Sequence, residues 1–329
     1  MTGRPPEASA RACANIALAK YWGKADRSAN VPAVPSISLT LDQLVTETRV
    51  RFDASLPADL VRLDGRRATA AETERVVKML DRVRREARSP LRAEVNSHNR
   101  FPTAAGLASS ASGFAALAGA AWAAAGLRFH ARRLSALARA SSASAARSIY
   151  GGFVELPAGK RGDVDLAARP IAPPEHWDVR LVVALTEAGQ KKVGSTEGME
   201  RSRKTSPYYR AWLDQAPRWS RTIKRAIADR DLETLGAAME QSTLGFHCCA
   251  MTSVPPILYW APATLAALET VRGLRERGVS VWATMDAGPH VKALCGVGDA
   301  VRVRQALDRT PGVSRTWVAK AGPALEVHR

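Results

Sequence analysis

The sequence predicts a mixed fold of helices and strands arranged in two domains. At 329 residues the chain is longer than most single domains and can bury a sizeable core. Apolar, strand-like runs are interspersed with amphipathic helical patterns along its length. A loop-like stretch over residues 157–178, rich in proline, glycine and charge, precedes a strongly apolar strand that begins at Val179. We therefore expect one domain over residues 1–178 and a second over residues 179–329.

The composition is that of an ordinary globular protein. Hydrophobic residues make up 46% of the chain and charged residues 24%. No apolar run is long enough to cross a membrane, and the first residues lack the apolar core of a secretory signal. We therefore expect a cytoplasmic protein. The four cysteines form no C-x-x-C pair, so neither a disulfide framework nor a zinc site is indicated.

The net charge of +17 is unusual and has two interpretations. A basic nucleic-acid-binding protein is the non-enzymatic alternative. The basic residues are, however, spread along the chain and interleaved with acidic ones, without a basic tail. We therefore expect no specific nucleic-acid partner. A basic protein also raises the local concentration of small polyanionic substrates.

In the first half, the hydrophobic patterns predict mostly strands. Residues 1–10 are expected to be disordered, and the apolar part of residues 12–24 to be a buried strand. Residues 34–41 and 44–52 alternate polar and apolar side chains, which predicts two half-buried strands that pair with each other. The remaining elements are expected as a strand at Leu60–Leu63 with a turn at 64–65, a helix at Ala70–Ala87, a strand at 91–95, an alanine-rich helix before Gly126 and a helix at about 131–140.

In the second half, strands and amphipathic helices follow one another. An apolar strand from Val279 is expected to place Asp286 at its end, where Ala-Gly-Pro forces a turn. The other elements are expected as strands at Phe153–Leu156, 179–185, 291–294 and 316–318, a polar loop at 191–199 and helices at 212–227, 232–242 and 265–277.

The stretch from Phe101 to Leu117 is a candidate phosphate-binding loop. A small, polar segment opens an alanine-rich helix, and unpaired N–H groups at a helix start attract anions. It is not a Walker A loop, because no Gly-Lys-Ser/Thr follows the glycine. Taken alone, it is equally consistent with a buried helix packed on a sheet. The candidate cofactor-binding residues are Pro102, Thr103, Ala104, Ala105, Gly106, Leu107, Ala108, Ser109, Ser110 and Ser112, with Ser109 also a candidate metal ligand.

Three other stretches carry candidate site residues, of which two suit an anionic ligand and the third a proton transfer. Lys20 and Lys24 flank a Tyr-Trp-Gly turn and together suit a phosphate or carboxylate, although two solvated lysines are as consistent with the pattern. Arg147 lies in a serine-rich segment and can bind a carboxylate or phosphate through two hydrogen bonds, although a surface arginine is the plain alternative. Asp286 is either a turn former or a catalytic base.

Taken together, these stretches resemble the GHMP kinase superfamily and, within it, the mevalonate diphosphate decarboxylase (diphosphomevalonate decarboxylase) family. The resemblance covers nearly the whole chain. It rests on four motifs in order, which are Asn-Ile-Ala-Leu-Ala-Lys-Tyr-Trp-Gly-Lys at 15–24, Phe-Pro-Thr-Ala-Ala-Gly-Leu-Ala-Ser-Ser at 101–110, Ser-Ala-Ala-Arg-Ser-Ile-Tyr-Gly-Gly-Phe at 144–153 and Met-Asp-Ala-Gly-Pro at 285–289.

The resemblance implies an α+β architecture, the GHMP kinase fold. Its N-terminal domain would be of the ribosomal protein S5 domain 2-like type, its C-terminal domain ferredoxin-like, and its site would lie between them. The implied reaction belongs to the mevalonate isoprenoid pathway. ATP, with Mg²⁺, phosphorylates the tertiary 3-hydroxyl group of mevalonate 5-diphosphate, and loss of phosphate and CO₂ gives isopentenyl diphosphate. Family members are often homodimers, so we also expect a homodimer.

The resemblance further implies roles for individual residues. Asp286 would accept or orient the hydroxyl proton, Lys20 would keep that carboxylate ionised, and Arg147 would complete the catalytic set. The loop at 102–112 would hold the ATP phosphates. The substrate-binding residues would be Tyr21, Trp22, Gly23, Lys24, Arg66, Ser142, Ala143, Ser144, Ala145, Ala146, Arg147 and Thr196.

The sequence departs from the family pattern in three places. Residues 141–144 are Ser-Ser-Ala-Ser where the family usually has Gly-Ser-Gly-Ser, so that two added side chains are expected to tighten the diphosphate pocket or shift its backbone. Val34-Pro35 replaces Asn-Ser, and Ser-Thr-Leu-Gly at 242–245 replaces an Asp-Ser-Asn type segment. A mevalonate 5-phosphate decarboxylase and a mevalonate 3-kinase are therefore alternatives. The presence of both Lys20 and Asp286 favours a decarboxylase.

Overall fold

The computed structural model describes residues 6–101, 109–186 and 193–329, and at Ser109 only the backbone. The strands are β1 Glu7–Ala19, β2 Lys24–Asp26, β3 Val31–Pro32, β4 Ser36–Asp53, β5 Leu60–Leu63, β6 Arg66–Arg67, β7 Arg92–Asn99, β8 Phe153–Leu156, β9 Arg169–Ala172, β10 Val179–Thr186, β11 Val281–Met285, β12 Val291–Gly296, β13 Val313–Lys320 and β14 Glu326–His328. The α-helices are α1 Ala70–Ala87, α2 Ser109–Ala124, α3 Ala131–Ser141, α4 Ser195–Thr205, α5 Tyr209–Asp229, α6 Leu232–Met251, α7 Pro262–Glu276 and α8 Ala300–Asp308. A 3₁₀-helix covers Ala143–Ile149.

The first sheet is built around the long strands β1 and β4. Among the described residues it runs in the order β14-β1-β4-β7-β5-β6, with β8 also paired to β4 and β9 to β8. The prediction that residues 34–41 and 44–52 pair with each other is wrong, because both belong to the single strand β4. Asp42 and Gln43, which join the two segments, lack the glycine or proline that would turn the chain back. β4 instead pairs with β1 over most of its length.

The first strand also begins earlier in the chain than expected. Residues 7–10 begin β1, and Ala8 and Ala10 are buried there against β4. Two more elements extend beyond their predicted ends, since β7 continues to Asn99 and α6 continues to Met251. α4 starts at Ser195, inside a stretch that was expected to be a polar loop. The predicted bounds of α1 and of β5 are confirmed.

The alanine-rich helix α2 packs directly on the first sheet. Ala115, Ala116, Ala118, Ala120 and Ala121 are all fully buried, in one cluster with side chains of β1, β4 and α1. Small side chains on every side let α2 lie close to both the sheet and the neighbouring helices. The helix ends before Gly126, whose φ of +74° is the left-handed conformation of a C-terminal cap. For the second half of the stretch from Phe101 to Leu117, the alternative of a buried helix packed on a sheet is therefore correct.

The second sheet has the order β11-β12-β10-β13. Helix α6 packs between the two sheets, where one cluster joins Ile16 and Ile37 of the first sheet to Leu181 and Leu294 of the second through Met239. The last strand, β14, returns to the first sheet and pairs with β1. The two sheets therefore share a core, and the cleft between them opens where β1 ends. Across the described ranges, no helix combines the length and apolarity that a bilayer crossing requires.

Candidate active site

A cavity of about 1230 Å³ lies where the two sheets meet. Its walls come from the end of β1, the first turn of α2, the segment between α3 and the 3₁₀-helix, the first turns of α4, and the loop after β11. Lys20, Ser110, Ser144, Thr196 and Asp286 each contribute to the lining. The structure thus brings together residues from five stretches that are far apart in sequence.

Asp286 and Lys20 form an ion pair across the junction of the two sheets. Lys20 Nζ lies 2.8 Å from Asp286 Oδ1 and also donates to the carbonyl oxygen of Ala17 at 2.9 Å. The Lys20 side chain is 3% exposed, whereas that of Asp286 is 32% exposed and faces the cavity. Burial lowers the pKa of Lys20 to about 8, although the charge of Asp286 opposes this shift. The pair predicted from the sequence is therefore formed.

A second lysine, which sequence analysis missed, contacts the same carboxylate. Lys292 Nζ lies 3.1 Å from Asp286 Oδ2. Burial by itself would raise the pKa of Asp286, but the charges and hydrogen bonds of Lys20 and Lys292 outweigh it and hold that pKa well below its usual range. The available signal was the lysine in an otherwise apolar run at 291–295, immediately after the Asp-Ala-Gly-Pro turn. Such a lysine is buried on an interior strand and needs a partner.

Arg147 is buried beside this pair and is held by neutral groups. Its guanidinium donates to Ser38 Oγ at 2.9 Å, to Ser36 Oγ at 2.7 Å and to Asn15 Oδ1 at 3.2 Å. Burial lowers its pKa to about 10, so it remains charged at neutral pH. A buried guanidinium held only by neutral acceptors retains its attraction for an anion in the cavity. The alternative of a solvated surface arginine is wrong.

The serine-rich segment beside Arg147 divides between the cavity and the core. Ser142, Ala143 and Ser144 line the cavity, and the hydroxyl oxygens of the two serines lie 3.1 Å apart. Ala145 and Ala146 are instead fully buried in hydrophobic clusters, so their side chains are not available to a ligand.

The two side chains at family glycine positions cause no backbone strain. Neither Ser141 nor Ala143 has a positive φ. Ser141 ends α3 and Ala143 begins the 3₁₀-helix, both in conformations open to any residue. The expected backbone shift is therefore not required by the replacements.

The turn after β1 contributes both a wall and a support to the cavity. Tyr21 and Trp22 line it, and Trp22 is anchored because its indole N–H donates to Ser202 Oγ at 3.0 Å. Gly23 has a φ of +114°, and a Cβ placed there would lie 2.1 Å from the hydroxyl oxygen of Tyr209. Only glycine fits that position, so Gly23 shapes the turn that carries Tyr21 and Lys24.

Lys24 connects the two sides of the cavity. Its ammonium donates to Asn30 Oδ1 at 2.6 Å and to Thr196 Oγ1 at 3.1 Å. Thr196 belongs to the first turn of α4, which begins after Gly194 without a side-chain cap. Burial, together with the nearby charges of Arg27 and Arg75, lowers the pKa of Lys24 to about 8. This places a cation and a helix N-terminus together, as an anionic ligand requires.

The cavity is strongly basic. Among the described residues that line it, nine are basic and three are acidic. The basic residues are Lys20, Lys24, Arg27, Arg75, Lys78, Arg82, Arg147, Arg201 and Lys204, and the acidic ones are Glu197, Glu200 and Asp286. Part of the high net charge of the chain is therefore concentrated around one cavity, which suits a polyanionic ligand.

Some predicted site residues lie elsewhere. Arg66 is on β6, outside the cavity lining, and its guanidinium is paired with Glu72. Ser112 is fully buried, and its hydroxyl lies 2.7 Å from that of Thr46 in β4, so it faces the sheet rather than a ligand. Ser110, two residues earlier and therefore on another face of α2, does line the cavity.

Most of the predicted phosphate loop lies outside the described residues. These positions are Pro102, Thr103, Ala104, Ala105, Gly106, Leu107 and Ala108, together with the side chain of Ser109. In the part of the chain that the structure describes, no three His, Cys, Asp or Glu side chains cluster as metal ligands.

The chain is similar to known decarboxylases over nearly its whole length. A family model of the diphosphomevalonate decarboxylase-like N-terminal domain matches residues 12–168, and one of the mevalonate 5-diphosphate decarboxylase C-terminal domain matches residues 181–313. Diphosphomevalonate decarboxylase from Aspergillus fumigatus is 37% identical over 303 residues, which cover 86% of this chain and 75% of that protein.

Two solved structures have the same fold. The mevalonate diphosphate decarboxylase from Enterococcus faecalis superimposes with a TM-score of 0.91 at 38% identity, over 99% of this chain and 100% of that one. MDDEF in complex with MVAPP, AMPPCP and magnesium superimposes with a TM-score of 0.93 at 39% identity, with the same coverage. These likenesses confirm the predicted GHMP kinase fold. With the pairing of Lys20 and Asp286 in a cation-lined cleft, they establish that the chain belongs to the diphosphomevalonate decarboxylase family.

Proposed function

We propose that the protein catalyses the ATP-dependent decarboxylation of mevalonate 5-diphosphate to isopentenyl diphosphate, CO₂, ADP and phosphate. The observation that carries this proposal is the carboxylate of Asp286, held by buried lysines and open to a cavity in which basic side chains outnumber acidic ones. Two solved structures of relatives support it. The E. faecalis structure concerns ATP binding mediated by mevalonate diphosphate, and the MDDEF complex contains MVAPP with the ATP analogue AMPPCP.

The reaction needs a leaving group that the substrate lacks. Hydroxide leaves a tertiary carbon poorly, whereas phosphate leaves well, so the 3-hydroxyl group must first be phosphorylated. We assign Asp286 to accept or orient the hydroxyl proton while the oxygen attacks the γ-phosphorus of ATP and ADP departs. Lys20, 2.8 Å from that carboxylate, keeps it ionised and stabilises charge during the transfer.

Loss of phosphate then drives decarboxylation. When the C–O bond breaks, positive charge develops at the tertiary carbon and the phosphate departs with both bonding electrons. The bond between the adjacent carbon and the carboxylate then breaks, its electrons form the new double bond, and CO₂ is released. The site has only to hold the carboxylate and the diphosphate in position, and this is positioning and electrostatic catalysis.

Basic residues and hydroxyl groups on both sides of the cavity would position the substrate. Arg147, Ser142 and Ser144 form one wall for the acidic groups of the substrate, and Lys24 with Thr196 forms the other. Arg147 is pre-organised by its three hydrogen bonds to neutral groups, so little entropy is lost when it binds an anion.

The described residues also fit ATP. Ser110 places the first turn of α2 on the cavity, and three basic residues of α1, namely Arg75, Lys78 and Arg82, line the same region. Mg²⁺ is bound in proteins by few side chains together with phosphate oxygens. The hydroxyl of Ser110 and, by proposal, that of Ser109 would hold Mg²⁺, which neutralises phosphate charge during transfer.

We also propose a domain boundary between residues 178 and 179, a cytoplasmic location and a homodimer. The domain boundary at residues 178 and 179 agrees with the start of the second sheet at β10, although β14 crosses back to the first. A cytoplasmic location follows from the sequence pattern, and cell fractionation tests it. A homodimer follows from the family resemblance, and light scattering of the purified protein tests it.

A substrate panel tests the function directly. The purified protein is incubated with ATP, Mg²⁺ and either mevalonate, its 5-phosphate or its 5-diphosphate, and CO₂ and ADP are measured. We expect CO₂ from the 5-diphosphate with a kcat/KM at least about 100-fold above the others, because Lys24, Arg147 and the nearby hydroxyls favour the most highly charged substrate. CO₂ from the 5-phosphate alone would assign a monophosphate decarboxylase. ADP without CO₂ would assign a 3-kinase.

A further inference from the structure

We propose that Lys292 is a positioning residue that keeps the Asp286 carboxylate ionised and oriented from within its own sheet, independently of Lys20. This proposal rests on the function assigned above, since it gives Lys292 a part in setting the proton acceptor of that reaction.

The two lysines engage different oxygens of one carboxylate. Lys20 Nζ lies 2.8 Å from Oδ1, and Lys292 Nζ lies 3.1 Å from Oδ2. Both lysine side chains are almost fully buried, at 3% and 2% exposure, while the carboxylate itself is 32% exposed. A carboxylate fixed at both oxygens has little rotational freedom. Its free lone pairs are therefore presented to the cavity in one orientation.

Lys292 is buried at a place where an unpaired ammonium group would be costly. Lys292 lies on β12, an interior strand of the second sheet, where it pairs with Thr284 of β11 and Val183 of β10. Burying an ammonium in such a sheet is costly unless it is paired. Within the described ranges, Asp286 supplies the hydrogen bond and the ion pair that are found for Lys292.

The two lysines come from opposite sides of the cleft. Lys20 follows β1 of the first sheet and is tied there by its hydrogen bond to Ala17. Lys292 and Asp286 flank the same turn between β11 and β12, in which Met285 pairs with Val291. Lys292 therefore maintains its contact through local strand pairing, whereas the Lys20 contact depends on how the two sheets meet.

The other titratable groups near Asp286 determine what removing Lys292 would do. Within the described residues they are Lys20, Arg147 from the 3₁₀-helix and His247 from α6. Burial lowers the pKa of His247 to about 3, so this imidazole is neutral in the working range. Without Lys292, the positive charges that the described part of the chain leaves beside the carboxylate are Lys20 and the more distant Arg147. The pKa of Asp286 would then rise toward, or above, its usual value, because burial raises it.

The rise in the pKa of Asp286 determines how the pH dependence of activity would change. The ionised carboxylate is the active form, so activity is lost as pH falls through the pKa of Asp286. In the wild type that pKa is depressed, and the loss therefore lies at low pH. Replacing Lys292 by methionine removes the charge at similar length. We expect the acid limb of the kcat/KM profile to move to higher pH by about one unit or more. At a pH on that limb, kcat/KM should therefore fall by about tenfold or more, and it should partly recover at higher pH.

Three variants and two measurements separate this role from a structural one. K292M should move the acid limb while the KM for ATP stays within about twofold, and K292R should restore the limb by restoring the charge. K224M, which removes one positive charge from an exposed helix position, should behave as wild type. A uniform loss of activity at every pH in K292M, with the acid limb unmoved, would overturn the proposal.

The second measurement does not depend on turnover. The Asp286 carboxyl resonance of ¹³C-aspartate-labelled protein, assigned by its loss in D286N, is titrated in the wild type and in K292M, or in K292Q if K292M does not fold. We expect titration at a higher pH in the variant. Identical titrations would overturn the proposal even if the protein acted on another substrate. A protein that shows the shift but releases no CO₂ from mevalonate 5-diphosphate would instead contradict the proposed function alone.

Discussion

At the scale of single residues, the Asp286 carboxylate lies where two buried ammonium groups and the cavity meet. Its charge compensates Lys20 and Lys292, and its exposed side faces the substrate region. Structure and catalysis therefore depend on the same group. Removing its charge would leave two buried lysines without a counter-ion, which costs about 3–5 kcal/mol for a broken buried pair.

The D286N variant separates these two roles. We expect kcat to fall by about 100- to 10,000-fold, because an amide cannot accept the hydroxyl proton. ATP binding, measured by calorimetry, should remain within about twofold, since the phosphate-binding residues are elsewhere in the cavity. The melting temperature should also fall, and D229N, at an exposed position on α5, is the matched control. Turnover close to that of D229N would remove Asp286 from the catalytic role.

Residue types and order in the sequence were enough to predict part of this site. Lys20, Arg147 and Asp286 were predicted because each lies in a distinctive motif. Lys292 was missed because a lysine within an apolar strand is usually interpreted as a solvent-facing position. The structure shows that Lys292 is buried, on a strand that lies between β11 and β10. Conversely, Arg66 was predicted in the pocket, but Glu72 holds it on the surface.

At the scale of elements, helix α6 sets the position of β11, the strand that leads to Asp286. Trp282 of β11 packs against Gly236 of α6, and the guanidinium of Arg275 lies 4.1 Å above its indole ring. Thr243 of α6 and Thr284 of β11 lie 3.0 Å apart at their hydroxyl oxygens. The contact between this helix and this strand therefore controls where the catalytic carboxylate is placed.

The G236A variant tests this packing. A Cβ at Gly236 would lie 1.9 Å from Cγ of Trp282, so the strand or the indole ring must move. We expect a destabilisation of about 1–3 kcal/mol. This corresponds to a melting temperature lower by about 2–12 °C. kcat should fall as well, because β11 carries Asp286.

Another glycine-to-alanine change in a helix provides the control. At Gly273 of α7, the nearest atom to an added Cβ is the flexible end of Arg277 at 3.3 Å. G273A should therefore be neutral or stabilising by up to about 1 kcal/mol. If G236A melted at or above the temperature of G273A, the packing argument would be wrong.

Sequence patterns predicted elements better than they predicted how the elements join. The 3.6-residue period of α1 and the apolar run of β10 were sufficient to locate both. The continuity of β4 was not apparent, because Asp42 and Gln43 interrupt an alternating pattern without turning the chain. The early start of β1 was also missed, since alanines at residues 8 and 10 are weak strand signals until they pair with β4.

At the scale of the whole molecule, the site exists only where the two sheets meet. Lys20 and Arg147 come from the first sheet and its helices, while Asp286 and Lys292 come from the second. A shared core that includes Ile16, Met239 and Leu294 holds the two parts together beneath the cavity. No single stretch of sequence contains these four residues, so no single motif predicts the site.

In the proposed reaction, the 3-hydroxyl oxygen is phosphorylated and then leaves as part of phosphate. The most direct measurement uses mevalonate 5-diphosphate labelled with ¹⁸O in its 3-hydroxyl group, together with unlabelled ATP and water. We predict that the inorganic phosphate released with each CO₂ carries the ¹⁸O atom, as read by mass spectrometry. Unlabelled phosphate, with the ¹⁸O atom found in water or retained in the organic product, would contradict the mechanism proposed for this site.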